Sequence, residues 1–191
     1  MSAASLPRPA AGHSDSDLAA RMILRWFPVP VIRLHTGLPS DAVRELYRQL
    51  HDSVPPPSTL PQIADLLGTT GSTRQASTFL SHYAGLAGSN AYRRVDVNAL
   101  IVSHDLHLAS RDLNTAEATT IAAAWVLARE LRSRTISFEA CECGRDHVVH
   151  DEVAPPSSCP HCGASLAKDR SSVHDHPWRD STGVDRAVRI S

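Results

Sequence analysis

The 191-residue chain lacks the features of a membrane or secreted protein. Its longest apolar run, Ile121 to Ala128, is far too short to span a bilayer. The N-terminal sequence MSAASLPRPAAGHSDSD has neither a basic n-region nor an apolar stretch, so no secretory signal is predicted. We therefore expect a cytoplasmic protein without a membrane partner, whose thiols stay reduced.

Lysine is almost absent, and positive charge is not in excess. Only Lys168 accompanies the arginines among 19 basic residues, the formal net charge is −1, and the pI is about 6.8. A stand-alone nucleic-acid binder is usually far more basic. Any DNA contact must therefore come from a local patch or from a partner. Arginine suits bidentate contacts to phosphate and guanine, but a compositional bias of the genome is the better explanation of its abundance.

The common catalytic motifs are also missing. The sequence has no G-x-S-x-G elbow, no phosphate-binding glycine loop and no H-E-x-x-H. His150 and Glu152 supply the H-x-E half of a zinc-deaminase signature. However, Ser158 stands where that signature has proline, and only six residues separate the two halves. The eleven histidines are dispersed, so the sequence predicts no enzyme.

Apolar periodicity predicts a mainly α fold. Residues 1–16 and 167–191 are polar and are predicted to be disordered tails around a helical domain, 17–135, and a metal-binding segment, 136–166. The run SVPPPSTLP, residues 53–61, must be an extended connection. Strand-like alternation is confined to residues 135–138 and 147–150.

Five helices account for most of the pattern. They are a helix from Asp17 with Leu18, Met22 and Trp26; a short one between Pro28 and Gly37; one capped by Ser40 with Val43, Leu46, Tyr47 and Leu50; one with Ala76, Phe79, Leu80, Tyr83 and Leu86; and one over about 96–111 with Leu100, Ile101 and Leu108. A sixth starts near Thr115 and carries Ile121, Trp125, Ala128 and Leu131.

Residues 29–51 predict a helix-turn-helix-like pair. Two short helices flank a turn that contains Gly37, as in the motif whose second helix enters the major groove of DNA. A helical hairpin with a merely solvated polar face is the alternative. The candidate DNA contacts are Arg33, Ser40, Arg44, Arg48 and Gln49.

All four cysteines lie within 22 residues, in CECGRDHVVHDEVAPPSSCPHC. The spacing C-x-C-x15-C-x2-C is typical of a zinc site with Cys141, Cys143, Cys159 and Cys162 as ligands. Around tetrahedral zinc the sulfurs lie about 3.8 Å apart, so the chain must bend sharply between the first two cysteines. The alternative ligand set replaces one of these two with His147 or His150.

A zinc ion held by four thiolates is structural. Its coordination shell has no open position for water, and the sulfur charge makes the metal a poor Lewis acid. One such ion would fold a ribbon-like segment of about thirty residues, which has too little core to fold alone.

Several segments together resemble the FlhC family, the larger subunit of the bacterial flagellar master transcription regulator. In order they are TGLPSDAVRELYRQL, DSVPPPSTLP, ASTFLSHYAGL, TTIAAAWVLAREL and the cysteine segment, covering residues from about Asp17 to Ser165. The family's first cysteine pair is C-x-x-C-G. Here Ala140 stands at its first position, so either Cys141 substitutes as the ligand one residue further on or the site has only three thiolates.

The resemblance implies a helical, zinc-binding subunit that forms a hetero-oligomer with FlhD. That complex binds promoter DNA, activates flagellar operons and contacts RNA polymerase. A divergent paralogue with other target operons is the alternative within the family. Outside it, the alternative is a zinc-ribbon adaptor that binds only proteins and has no direct DNA contact.

Overall fold

The computed structural model describes residues 13–110 and 119–166, and it confirms a mainly helical chain with a small cysteine segment at its C-terminal end. The predicted tails at residues 1–12 and 167–191 lie outside the described residues. The elements are α1 (His13–Ile23), α2 (Val29–Thr36), α3 (Ser40–His51), α4 (Ile63–Leu67), α5 (Thr70–Ala87), a 3-10 turn (Gly88–Tyr92), α6 (Val97–Ser110), α7 (Ile121–Ser133), β1 (Ile136–Ala140) and β2 (Asp146–His150).

Helices α1, α2 and α3 pack against one another as an N-terminal group. The Tyr47 hydroxyl of α3 donates to the Phe27 carbonyl, and His51 Nε2 lies 2.9 Å from the Ile23 carbonyl oxygen. Both contacts hold the end of α1 against α3. The imidazole of His51 also stacks on Trp26, with 4.0 Å between ring centroids.

Two predictions about α1 were wrong. The helix begins at His13 and not at Asp17, so the last four residues of the predicted N-terminal tail are helical. Asp15 lies in the first turn, where a carboxylate interacts favourably with the helix dipole. Trp26 follows the helix in a left-handed conformation, with φ of 61°, and is exposed instead of lying on the buried face.

The helix-turn-helix-like pair has the predicted order and turn. Helix α2 starts with proline in its first turn and ends at Gly37, whose φ of 72° closes the helix in the left-handed conformation. Val43 and Tyr47 form the buried stripe of α3, whereas Leu50 is exposed. Ser40 was wrongly predicted as the cap, because Pro39 occupies that position and no side chain caps the helix.

Helix α5 is the scaffold for the C-terminal half. It contacts α4, α6, α7 and β2, and it starts with a capping box between Thr69 and Ser72. The predicted stripe of Ala76, Phe79, Leu80 and Tyr83 is buried, and only Leu86 of that set is exposed. The five-residue helix α4 was not predicted, since a single turn carries too little periodicity to detect.

Helices α6 and α7 complete the core. The Asp96 carboxylate caps α6 by accepting the N–H groups of Asn98 and Ala99, and Leu100 is buried whereas Leu108 is exposed. Thr120 caps α7, and Ile121, Trp125, Ala128 and Leu131 are buried as predicted. The predicted start near Thr115 lies outside the described residues.

Two polar contacts join the N-terminal group to the rest of the core. The Arg25 guanidinium binds the Asp105 carboxylate of α6 in bidentate fashion, at 3.0 and 2.7 Å. The Trp125 indole N–H of α7 donates to His35 Nε2 of α2, at 2.9 Å. Helix α2 is therefore anchored directly to α7, whose residues are mostly buried.

The two strands confirm the predicted strand segments. They pair antiparallel, with Phe138 opposite Val148, and the Val148 N–H donates to the Ser77 hydroxyl of α5 at 3.0 Å. Ile136 and Val148 belong to the core, so the cysteine segment rests on the helices. Among the described helices, none is both long enough and apolar enough to cross a membrane.

The half-buried His35 and the buried His104 should make the fold sensitive to mild acid. Burial lowers the pKa values of His35 and His104. His35 Nε2 accepts the Trp125 N–H, and His104 Nε2 lies 2.8 Å from the Thr119 carbonyl oxygen, while its buried Nδ1 has no partner among the described residues. Protonation of His35 at Nε2 would break its bond with the Trp125 N–H. Protonation of His104 at Nδ1 would leave a buried N–H without an acceptor.

Because the native pKa values lie below the unfolded one, the unfolded chain binds more protons as pH falls below about 6.5. We expect the free energy of unfolding, measured with urea, to fall as the pH is lowered from 7.5 to 5.5. This interval lies above the pH range in which carboxylates titrate. The variant His35→Gln with His104→Gln should show a smaller fall over that range. If the free energy of unfolding depended on pH equally in both proteins, these two histidines would not be the cause of the acid sensitivity.

Candidate metal centre

The first cysteine pair lies in the turn that joins β1 to β2. The Cys141 N–H donates to the Arg145 carbonyl, and the Gly144 N–H donates to the Cys141 carbonyl at 2.9 Å. Glu142 and Cys143 thus occupy the centre of a tight turn, and Gly144 follows with φ of 79°. This is the sharp bend at Glu142 that the one-residue gap requires.

The second pair lies in a similar loop near the end of the described chain. The Cys159 N–H donates to the Ala164 carbonyl at 2.7 Å, and the Gly163 N–H donates to the Cys159 carbonyl at 2.9 Å. Gly163 has φ of 78°, so both loops end in cysteine followed by a left-handed glycine. The first loop is therefore a shortened form of the second, which explains how C-x-C can serve where C-x-x-C is usual.

The two loops bring all four sulfurs together. Cys141 Sγ lies 3.8 Å from Cys162 Sγ, and Cys143 Sγ lies 4.0 Å from Cys159 Sγ. All four ligand atoms lie within 4.8 Å of one another. A tetrahedral ion with metal–sulfur bonds near 2.3 Å requires sulfurs about 3.8 Å apart, and the two measured pairs are close to that separation.

Charge at the cluster also favours a bound cation. Burial raises the pKa of Cys159, but the backbone N–H groups of Cys162 and His161 outweigh it and lower that pKa to about 7. The backbone N–H of Cys143 lowers the pKa of Cys141, yet desolvation and the neighbouring sulfurs bring it up to about 12. Neighbouring thiolates repel one another, so a bound cation would stabilise the ionised form of all four.

The histidines of the alternative ligand set point elsewhere. The buried His147 Nε2 lies 3.8 Å from the Glu139 carboxylate, across the strand pair. His150 accepts the Glu152 N–H at Nδ1, and its Nε2 lies 3.9 Å from the Glu130 carboxylate. Neither ring belongs to the cluster of ligand atoms, and neither does the carboxylate of Glu152 in the H-x-E pair.

The structure places the predicted DNA-contact residues on two helices. Arg44, Arg48 and Gln49 are exposed on α3, whereas Ser40 is half-buried at its first position. Arg33 is exposed in the last turn of α2. Within the described residues it makes no hydrogen bond or ion pair with the candidate DNA-contact residues of α3.

Acidic side chains compensate the arginines of α3. Arg44 Nη1 lies 3.5 Å from Asp41, and Arg48 Nη1 lies 2.5 Å from Glu45, which also accepts a hydrogen bond from Gln49 at 3.0 Å. Sequence reasoning missed this compensation, although acidic and basic residues three positions apart on a helix are expected to pair. The exposed face of α3 is thus nearly neutral in isolation.

Comparisons with known proteins cover both regions. Residues 11–172 match the family described as FlhC, flagellar transcriptional activator. The chain is similar to the flagellar transcriptional regulator FlhC of Paraburkholderia atlantica, with 27% identity over 135 residues, which are 70% of this chain and 62% of that protein. It is also similar to those of Nitrosomonas eutropha (24%, with 70% of each chain covered) and Serratia marcescens (28%, with 71% of each covered). The matched stretch therefore spans somewhat less than two thirds of the Paraburkholderia protein.

Proposed function

Since this chain belongs to the FlhC family, a family of flagellar transcriptional activators, we propose that it is the DNA-binding subunit of a hetero-oligomeric activator with an FlhD-type partner. The observation that carries the proposal is the extent of the family match. Residues 11–172 include the helix-turn-helix-like pair and all four cysteines, so the match does not rest on one motif. The complex would bind promoter DNA of flagellar operons in the cytoplasm and contact RNA polymerase through another surface. No catalytic step is required.

We assign the metal as one structural zinc ion held by Cys141, Cys143, Cys159 and Cys162. Four thiolates at near-tetrahedral separations are the donor set that zinc prefers in structural sites. The ion would join the two cysteine loops, and it would leave no open position for water.

Helix α3 is the element proposed to enter the major groove. Its ion pairs are no obstacle, because exposed pairs of this kind contribute only about 0.2–1 kcal/mol and exchange readily for phosphate. Arg44 and Arg48 are one turn apart and can contact the backbone together, with Gln49 next to them and Arg33 on the preceding helix. Because the formal net charge of this chain is −1, the partner must contribute to the DNA affinity of the complex.

Replacing Arg44 and Arg48 by alanine should weaken promoter binding by the complex and reduce its salt dependence. Each lost phosphate contact lowers the slope of log K against log salt by about 1, so the double variant should lose about 2. Fluorescence anisotropy on labelled promoter DNA, from 50 to 200 mM salt, measures this. The matched control is Arg21→Ala with Arg74→Ala, which removes the same charge from α1 and α5 and should keep the slope. An unchanged slope in the α3 variant would contradict a role of α3 in DNA binding.

A protein-binding adaptor without DNA contact is the second candidate function. The charge balance on α3 is the observation that favours it, because phosphate binding usually selects an unpaired basic face. In that case, the α3 variant would retain both the partner and its effect on transcription. Absence of promoter binding by the wild-type complex at low salt would favour the adaptor.

A further inference from the structure

A groove separates the N-terminal helix group from α6 and α7, and its volume is about 480 Å³. One wall comes from α2, with Leu34 and His35. The other comes from the segment that precedes α6, with Arg94, and from α7. With Leu18 of α1, four separate parts of the chain thus form one concave surface, far along the sequence from the cysteines.

The floor of the groove is rigid. Trp125 is buried in α7, and its indole N–H is held by His35 at 2.9 Å. The Arg129 guanidinium lies over the indole, 5.4 Å from the ring centroid, and pairs with Glu130 at 2.6 Å. These contacts tie α2 and α7 together along the floor of the groove.

The rim combines positive charge with an exposed apolar side chain. Arg94 and Arg132 are exposed, and within the described residues no carboxylate lies within ion-pair distance of either. The carboxylate that lines the groove belongs to Asp96, which is already used to cap α6. Leu34 is 68% exposed, among the most exposed large apolar side chains of the described chain.

This combination fits a protein segment better than DNA. Phosphate oxygens would pair with the arginines but would leave the exposed Leu34 without an apolar contact. A segment with carboxylates beside apolar side chains satisfies both, and arginine with aromatic residues is the composition enriched at protein interfaces. We propose that the groove binds an acidic, amphipathic segment of the FlhD-type partner, a proposal that rests on the proposed function.

The test uses the full-length, zinc-loaded chain and a purified FlhD-type subunit. Arg94→Glu with Arg132→Glu should weaken the heterocomplex by at least about 10-fold, since reversed charge repels carboxylates. Leu34→Ser tests the apolar contact separately and should also weaken it, while its exposure spares the fold. The matched control is Arg44→Glu with Arg48→Glu, which reverses the same charge on α3 and should retain the partner. Isothermal titration calorimetry gives the affinities, and circular dichroism verifies folding.

The outcomes separate this proposal from the proposed function. Loss of the partner by the groove variants but not by the α3 variant supports the groove, whether or not the complex binds DNA. Partner affinity that is unchanged in both groove variants overturns it. Retention of the partner with loss of promoter binding in the Arg94 and Arg132 variant also overturns it, and would make the groove a DNA contact instead.

Discussion

The Cys159→Ser variant should lose its metal and unfold the segment 136–166 while the helices stay folded. Cys159 is fully buried, and its sulfur receives the His161 N–H at 3.4 Å. A serine hydroxyl is a poor zinc ligand, because it does not ionise near neutral pH. Loss of a residue that hydrogen-bonds to a metal ligand typically lowers metal affinity about 10–100-fold. Loss of a ligand itself should lower zinc affinity by more than that. Structural zinc binding supplies about 10–16 kcal/mol, which is also folding free energy of the segment.

Hydrogen exchange measured by mass spectrometry resolves this outcome by segment. In Cys159→Ser, and in the wild-type chain after chelation, amides of β1 and β2 should exchange quickly. The Val148 N–H is the most informative, since it reaches the Ser77 hydroxyl only when the hairpin is docked on α5. Amides of α5 and α7 should remain protected, because these helices still pack against each other and against α6 after their contacts with the strands are lost.

His150→Gln is the control for the ligand set. His150 lies in β2 and interacts with Glu130 and Glu152, away from the sulfur cluster. This variant should keep one zinc ion per chain by elemental analysis, whereas Cys141→Ser should not. A zinc-replete Cys141→Ser protein would mean that only three thiolates bind and that Cys141 is not a ligand.

The structure explains why some of these features could be predicted from sequence and others could not. Helices α3 and α5 have apolar residues at helical spacing, so their buried faces follow directly from the pattern. Cysteine spacing was likewise sufficient to group the four thiols. The start of α1 was missed because residues 13–16 carry no apolar periodicity, and the charge pairing of Arg44 and Arg48 was missed because only their outward direction was considered.

Contacts between segments that are far apart in the sequence could not be predicted from it. The contact between His35 and Trp125 joins residues 90 positions apart, and nothing in either local sequence marks it. The groove needs Arg94, Leu34 and α7 to meet, which depends on how the two helix groups pack. Only the spacing of Trp125, Arg129 and Arg132, which places them on one face of α7, was available as a signal.

Replacing Trp125 by alanine should destabilise the protein by about 3–5 kcal/mol, the usual cost of removing a buried aromatic side chain. The indole belongs to the core, anchors α2 through His35 and supports Arg129. Urea unfolding followed by circular dichroism measures the change without relying on tryptophan fluorescence. Trp26→Ala is the matched control: Trp26 is 44% exposed, so its loss should cost much less. Equal destabilisation by the two variants would contradict a central role of Trp125.

The variant Trp125→Phe separates the anchor from the packing. Phenylalanine retains most of the buried apolar area but cannot donate to His35 Nε2, so the expected cost is only about 1–2 kcal/mol. The larger effect should be functional, because α2 is then held to α7 by packing alone, and α2 sets both the position of α3 and one wall of the groove. We therefore expect weaker promoter binding by the Trp125→Phe complex at a temperature where the protein is fully folded. Unchanged promoter binding in a folded Trp125→Phe protein would mean that packing alone positions the helix-turn-helix-like pair.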